Sequence, residues 1–87
     1  MKKNNLSTEK YRELFCEHVE FDNRQPLYVS LKTHVRLKKA VSNMRVYGLS
    51  LSSFIENILT HHLNVYDEQI RAIEKQEHEK LFGTDDD

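Results

Sequence analysis

Apolar residues near the N-terminus recur with the spacing of a helix. Ser7 or Thr8 can cap this helix, which we expect over about residues 8–20. Its apolar face consists of Tyr11, Leu14, Phe15, His18 and Val19. A turn is expected to follow, because Pro26 disfavours helical geometry at Gln25.

Two further helices are predicted on either side of Gly48. The first runs from about Lys32 to Tyr47 and is ended by Gly48, because glycine readily takes the left-handed conformation that closes helices. Its apolar face comprises Leu37, Val41 and Met44. Ser50 is a suitable N-cap for the second helix. The apolar stripe of that helix consists of Leu51, Phe54, Ile55, Ile58, Leu59 and Leu63.

Beyond Leu63 the apolar pattern becomes sparse. Three residues continue a helical spacing, namely Tyr66, Ile70 and Ile73. The pattern leaves open whether the helix from Ser50 continues past Asn64 or restarts there. Residues 65–87 are therefore expected to form an acidic helical extension, with a frayed end at Gly83–Asp87.

One segment, between the first two helices, has the pattern of a strand. The apolar residues of this segment are Leu27, Val29 and Leu31. They alternate with three residues that are expected to face outward, namely Pro26, Tyr28 and Ser30. An isolated strand leaves its backbone groups unpaired, and a second copy of the same strand is the economical partner. A chain of 87 residues with 38% hydrophobic residues also has little material for a core of its own. The pattern therefore predicts a homodimer.

Charge is unevenly distributed, although the formal net charge is only -1. Residues 21–47 carry six lysines and arginines against the single acid Asp22, while residues 48–87 carry three against nine acids. A local patch sets the field that a phosphate backbone meets, so the net charge does not exclude nucleic-acid binding. A solvated helix face explains the charge run equally well.

Several function classes find no support in the composition. No apolar stretch approaches the length of a membrane span, and the N-terminus lacks the pattern of a signal peptide, so we expect a cytoplasmic protein. Cys16 is the only cysteine, which excludes an internal disulfide. His61 and His62 point about 100° apart on a helix and cannot readily share one metal ion. We expect no metal, no cofactor and no catalysis.

The order of strand, helix, short turn and amphipathic helix resembles that of ribbon-helix-helix DNA-binding proteins of the Arc and MetJ type. The closest local match is the run Gly48-Leu49-Ser50-Leu51-Ser52-Ser53-Phe54-Ile55. The resemblance implies a mainly α fold with one short strand, in which two protomers form an intermolecular two-stranded antiparallel ribbon. The arrangement also resembles, more faintly, that of small accessory proteins carried by bacterial conjugative and mobilisable elements.

The resemblance also implies a set of site residues. It places the ribbon in the major groove and the start of the last helix of the module against a phosphate. The implied DNA-binding residues are Arg24, Pro26, Tyr28, Ser30, Lys32, Arg36, Ser50, Leu51 and Ser52. The implied dimer core consists of Leu27, Val29, Leu31, Leu37, Val41, Phe54, Ile55 and Ile58. Because Tyr28 and Ser30 offer only hydroxyls, we expect contacts to phosphates to outweigh contacts to bases. Two of these residues also have a purely structural alternative. Ser50 can serve only as a helix cap, and the Tyr28 ring can serve only to stabilise the ribbon by pairing across the two strands.

These features predict a homodimer that binds double-stranded DNA as a transcriptional regulator or as an accessory factor in DNA transfer or recombination. Three parts are expected: an N-terminal amphipathic helix and linker at 1–23, a DNA-binding and dimerisation module at 24–64, and the acidic extension at 65–87. One alternative is a helix-turn-helix formed by residues 33–47 and 50–63. Another is an antitoxin or assembly adaptor that binds a protein partner through residues 65–87.

Overall fold

The computed structural model describes residues 6–83, which form four helices. They are α1 (Thr8–Phe15), α2 (Leu31–Met44), α3 (Leu51–Val65) and α4 (Asp67–Phe82). Helices α1 and α2 both pack against α3, and α4 contacts α3 alone among these helices. Helix α3 is therefore the element on which the others are assembled, and the expected mainly α fold is confirmed.

Serine hydroxyls start the first three helices. Ser7, Ser30 and Ser50 are the N-caps of α1, α2 and α3, and each Oγ accepts a hydrogen bond from the backbone N–H three residues later, at 3.0–3.2 Å. Such a bond satisfies one of the N–H groups that a helix leaves free in its first turn. The cap predicted at Ser50 is confirmed, and of the two candidates for α1, Ser7 and Thr8, Ser7 is the cap.

The predicted strand over residues 26–31 is wrong. None of residues 6–83 belongs to a β-ladder, and residues 24–30 form an irregular, exposed segment. Residues 6–83 supply no second strand for this segment, and the Ser30 hydroxyl caps α2, so that Leu31 already lies in a helix. The ribbon-helix-helix fold with its intermolecular two-stranded ribbon is thereby overturned.

Two helix ends also differ from the sequence pattern. Helix α2 ends at Met44 rather than near Tyr47, because Arg45 takes the left-handed conformation (φ 54°, ψ 41°) expected of Gly48. The helix from Ser50 ends at Val65, and α4 begins after a single intervening residue. Of the expected frayed end at Gly83–Asp87, all but Gly83 lies outside the described residues.

The end of α1 is set by side chains of α3. An α-helix continuing past Phe15 would pair the Val19 N–H with the Phe15 carbonyl. Instead, the Val19 N–H donates to Ser53 Oγ at 3.0 Å, and the Phe15 carbonyl accepts from Asn57 Nδ2 at 3.0 Å. Asn57 Nδ2 also donates to the Glu17 carbonyl at 2.8 Å. These three bonds explain why the helix expected over residues 8–20 ends at Phe15.

The fully buried part of the molecule is small and lies at this junction. Among residues 6–83 only Phe15, Cys16, Ser53 and Phe54 are buried, and Ser53 is 0% exposed. The Phe15 ring lies edge-on to the ring of His61, with centroids 4.8 Å apart. The core therefore joins the end of α1 to one side of α3.

The two bonds that Asn57 donates allow a test of this junction. We expect Asn57→Ala to lower the free energy of unfolding by about 2 kcal/mol, because two carbonyl groups lose their donor. We expect a larger loss for Asn57→Asp at neutral pH, since a carboxylate facing two carbonyl oxygens has no proton to donate. Folding would raise the pKa of that carboxyl above its value in the unfolded chain. The penalty is therefore absent below the unfolded-state pKa, grows as the pH rises from there, and is complete above the folded-state pKa. Urea denaturation in acid and at neutral pH measures both effects.

Asn64→Asp is the matched control, because Asn64 is exposed on the same helix. If the Asn57→Asp and Asn64→Asp proteins unfold at the same urea concentration at neutral pH, the bonds to α1 do not stabilise the fold.

Candidate nucleic-acid interface

Helix α2 carries three cations on one exposed face. Lys32, Arg36 and Lys39 lie at positions i, i+4 and i+7 of the helix, a spacing that places them on the same side. We call these three residues the basic face. The side of α2 that is partly covered by the rest of the protein is a different one, formed by Leu37, Ala40, Val41 and Met44. The basic face is therefore turned away from the core.

Within residues 6–83 no carboxylate forms an ion pair with this face. Among residues 6–83 the ion pairs involve only residues outside 21–47: Lys10 with Glu13, His18 with Glu20, Arg71 with Asp67, and Lys80 with Glu77. Helix α2 itself contains no acidic residue. Its positive charges therefore add to one local field, available to an anionic partner.

Arg45 extends the positive charge beyond the end of α2 in a costly backbone conformation. A residue other than glycine lowers the stability of the fold by roughly 1–2 kcal/mol when its backbone takes the left-handed conformation. The residue at this position after a helix is usually glycine or asparagine. The Arg45 side chain is exposed and forms no ion pair within residues 6–83. Neither packing nor charge pairing within the described chain explains an arginine here.

Three of the predicted DNA-binding residues meet at an open groove instead of on a ribbon. Arg24, Pro26 and Ser52 line a groove of about 870 Å³ between the segment before α2 and the first half of α3. The Arg24 guanidinium lies over the Phe21 ring, 5.0 Å from its centroid. Glu56 lines the same groove, so a phosphate there would meet a carboxylate. The groove is a less favourable phosphate site than the basic face.

The other predicted site residues are dispersed. Tyr28 is 91% exposed and Ser30 caps α2, while Ser50 caps α3. Leu51 and Ser52 are half-buried in the first turn of α3. The residues of the predicted dimer core differ in exposure. Phe54 is buried, and four others are half-buried, namely Leu37, Val41, Ile55 and Ile58. The remaining three are exposed, namely Leu27, Val29 and Leu31. Of the nine predicted DNA-binding residues, Lys32 and Arg36 are the two that share the basic face.

Lys39 and Arg45 were not among the predicted site residues. The signal for Lys39 was present in the sequence, because it follows Lys32 by seven positions and Arg36 by three. Arg45 offered no comparable signal, since its backbone conformation depends on where α2 ends.

Cys16 offers no reactive thiolate. Burial raises the pKa of the Cys16 thiol, although the nearby Arg12 partly opposes the shift. A thiol with a raised pKa stays protonated at neutral pH and is a weak nucleophile. Within residues 6–83, no group of three or more His, Cys, Asp or Glu side chains is placed to hold a metal ion. None of the described helices is both long and apolar enough to cross a bilayer.

Comparison with known proteins identifies a family for this helical chain. The family described as protein of unknown function (DUF3408) matches residues 1–77, and the chain belongs to it. No curated protein and no solved structure matches the chain.

Proposed function

We propose that this protein binds double-stranded DNA through the basic face of α2, with Arg45 as a further phosphate contact. The observation that carries the proposal is the alignment of Lys32, Arg36 and Lys39 on one exposed face that forms no ion pair within residues 6–83. DNA presents phosphates at short, regular intervals, so a row of cations on a rigid helix fits it better than scattered charges do.

The mechanism is electrostatic positioning. Residues 32–39 span about 10 Å of helix, and the major groove is wide enough to admit an α-helix between its phosphate walls. Lysine and arginine side chains then reach the backbone oxygens and release bound counterions. Such contacts fix the position of the protein but carry little sequence information. The binding proposed here is therefore strongly salt-dependent and only weakly dependent on sequence.

The helix-turn-helix alternative is less compatible with the packing of α3. In that motif the residues at the start of the recognition helix contact bases. Ser53 and Phe54, in the first turn of α3, are buried against the rest of the chain, and Leu51, Ser52 and Ile55 are half-buried. Few side chains remain there to reach base edges, so we assign the contact to α2.

Sequence-tolerant binding suits an accessory factor in DNA transfer or recombination, or a regulator that depends on further partners for its choice of site. The proposal includes a cytoplasmic location, where DNA is found. The free cysteine Cys16 is consistent with a reducing compartment.

Lys39 and Lys38 provide a matched test of the basic face. We expect Lys39→Ala to weaken binding to a fluorescently labelled duplex several-fold and to reduce the slope of log K against log salt by about one. Lys38→Ala removes the same charge from the same helix, but Lys38 points about 100° away from Lys39. We expect Lys38→Ala to change the slope much less. Fluorescence anisotropy over a series of salt concentrations measures both slopes.

Equal slopes for the two variants would show that no defined face binds DNA. The same titrations with two duplexes of unrelated sequence are expected to give similar affinities. Vesicles containing phosphatidylserine serve as the competing anionic surface, and preferential binding to them over the duplex would overturn the proposal.

Arg45 offers a separate test, in which stability and affinity change in opposite directions. We expect Arg45→Gly to raise the free energy of unfolding by up to about 1 kcal/mol, because glycine takes the left-handed conformation without strain. We expect the same change to weaken DNA binding, because a phosphate contact is lost. Arg45→Ala is the control: it removes the charge and keeps the strain, so affinity falls without a gain in stability. An Arg45→Gly protein with unchanged affinity would exclude Arg45 from the interface.

A further inference from the structure

The groove beside α3 has apolar walls from two parts of the chain. The segment before α2 contributes Phe21 and Leu27 to one wall. The other wall is one face of α3, where the lining residues follow the helical spacing i, i+3, i+4 and i+7, namely Ser52, Ile55, Glu56 and Leu59. A groove of about 870 Å³ is as large as the pockets that enclose whole small ligands, so it has room for several side chains of a partner.

The chain that leaves the groove carries a run of exposed apolar side chains. Leu27 is 74% exposed, Tyr28 is 91% exposed and Leu31 is 79% exposed. Within residues 6–83 no backbone–backbone hydrogen bond involves residues 24–29, so the backbone of this run is not tied to the rest of the protomer. A contiguous exposed apolar patch on a small protein marks an interaction site. We call residues 27–31 the apolar arm.

The charges that line the groove favour a second copy of this chain as the occupant. Arg24 and Glu56 both line the groove, and neither forms an ion pair within residues 6–83. A purely acidic partner would be repelled by Glu56, and a purely basic one by Arg24. In a two-fold dimer, any contact between two different residues occurs twice, once in each direction. A second copy can therefore pair Arg24 with Glu56 of the partner subunit at two equivalent places.

The protomer also exposes more surface than a compact protein of its mass. Its accessible area is 7835 Å², against about 5,400 Å² for a compact monomer of 10.4 kDa. The difference exceeds the roughly 800 Å² that each partner contributes to a stable interface. The protomer thus has enough uncovered surface for a stable dimer, and the groove and the apolar arm supply its apolar centre.

We infer that the groove and the apolar arm form the interface of a two-fold dimer, in which the arm of each copy lies in the groove of the other. The Tyr28 ring is then covered by the second copy, and Arg24 pairs with Glu56 of the partner subunit. Side chains make this contact, and it requires no β-ladder, so the irregular backbone of residues 24–30 is retained. The inference does not depend on DNA binding and is tested without DNA.

Tyr28 and Tyr47 provide the first test. We expect the full chain to sediment as a dimer at micromolar concentration. Tyr28→Asp is expected to raise the dimer dissociation constant by at least about a hundredfold, because a carboxylate replaces a ring that the dimer covers. Tyr47→Asp is the matched control, because Tyr47 is also exposed and outside the helices but does not line the groove. That protein is expected to remain dimeric.

Both tyrosine rings are exposed in the protomer, so neither change is expected to disturb its fold. Circular dichroism checks the helix content of each variant, and sedimentation equilibrium gives its mass.

Charge reversal tests whether Arg24 and Glu56 pair between copies. Arg24→Glu and Glu56→Arg each bring like charges together at two places in a dimer, so each variant alone is expected to raise the dissociation constant at least about tenfold. When the two variants are mixed, a dimer of one chain of each has opposite charges at both places. We expect this heterodimer to predominate over both homodimers in native mass spectrometry, where the two chains differ in mass.

Three results would overturn the inference. One is a full chain that is monomeric at micromolar concentration, which would leave the groove to a different protein. Another is a dimer that Tyr28→Asp does not weaken. The third is a mixture of the charge variants without an excess of heterodimer, because Arg24 and Glu56 would then not meet between copies. None of these results decides whether the basic face binds DNA.

Discussion

The structure depends on the replacement of one helical hydrogen bond by three bonds between elements. The Val19 N–H and the Phe15 carbonyl, which would bond to each other in a longer α1, bond instead to Ser53 and Asn57 of α3. This exchange ends α1, holds the following backbone along α3 and buries Phe15 against His61. It occupies one side of α3 and leaves Leu63, on a different side of that helix, 54% exposed.

Local signals in the sequence predicted much of the fold, and contacts over long separations account for most of the rest. The apolar spacing predicted both ends of α2 to within three residues, and the cap at Ser50 predicted the start of α3, whose end the pattern left open. The apolar spacing of α1 continues to Val19, however, and the helix ends at Phe15 because of bonds to Ser53 and Asn57, which lie far along the chain. The segment 26–31 has strand periodicity, but periodicity does not supply a pairing partner, and the Ser30 hydroxyl directs the chain into a helix.

The sequence predicted where the positive charge of the candidate site lies, but it predicted less of how the charged side chains are arranged. Composition located the positive charge in residues 21–47, and helical spacing selects Lys32, Arg36 and Lys39 once the bounds of α2 are known. The strained backbone of Arg45 could not be inferred from residue types.

The placement of α4 separates positive from negative charge within one small molecule. Helix α4 has no contact with α2, and the described chain extends over 57 Å. Electrostatic screening at physiological salt acts over about 8 Å, so the acids of α4 do not cancel the field at the basic face. Within the described residues α2 carries four lysines and arginines and no acid, while α4 carries five acids against three lysines and arginines, so a protein with a net charge of -1 presents regions of opposite sign. It is expected to be retained by both cation- and anion-exchange resins at neutral pH, each capturing a different end of the molecule.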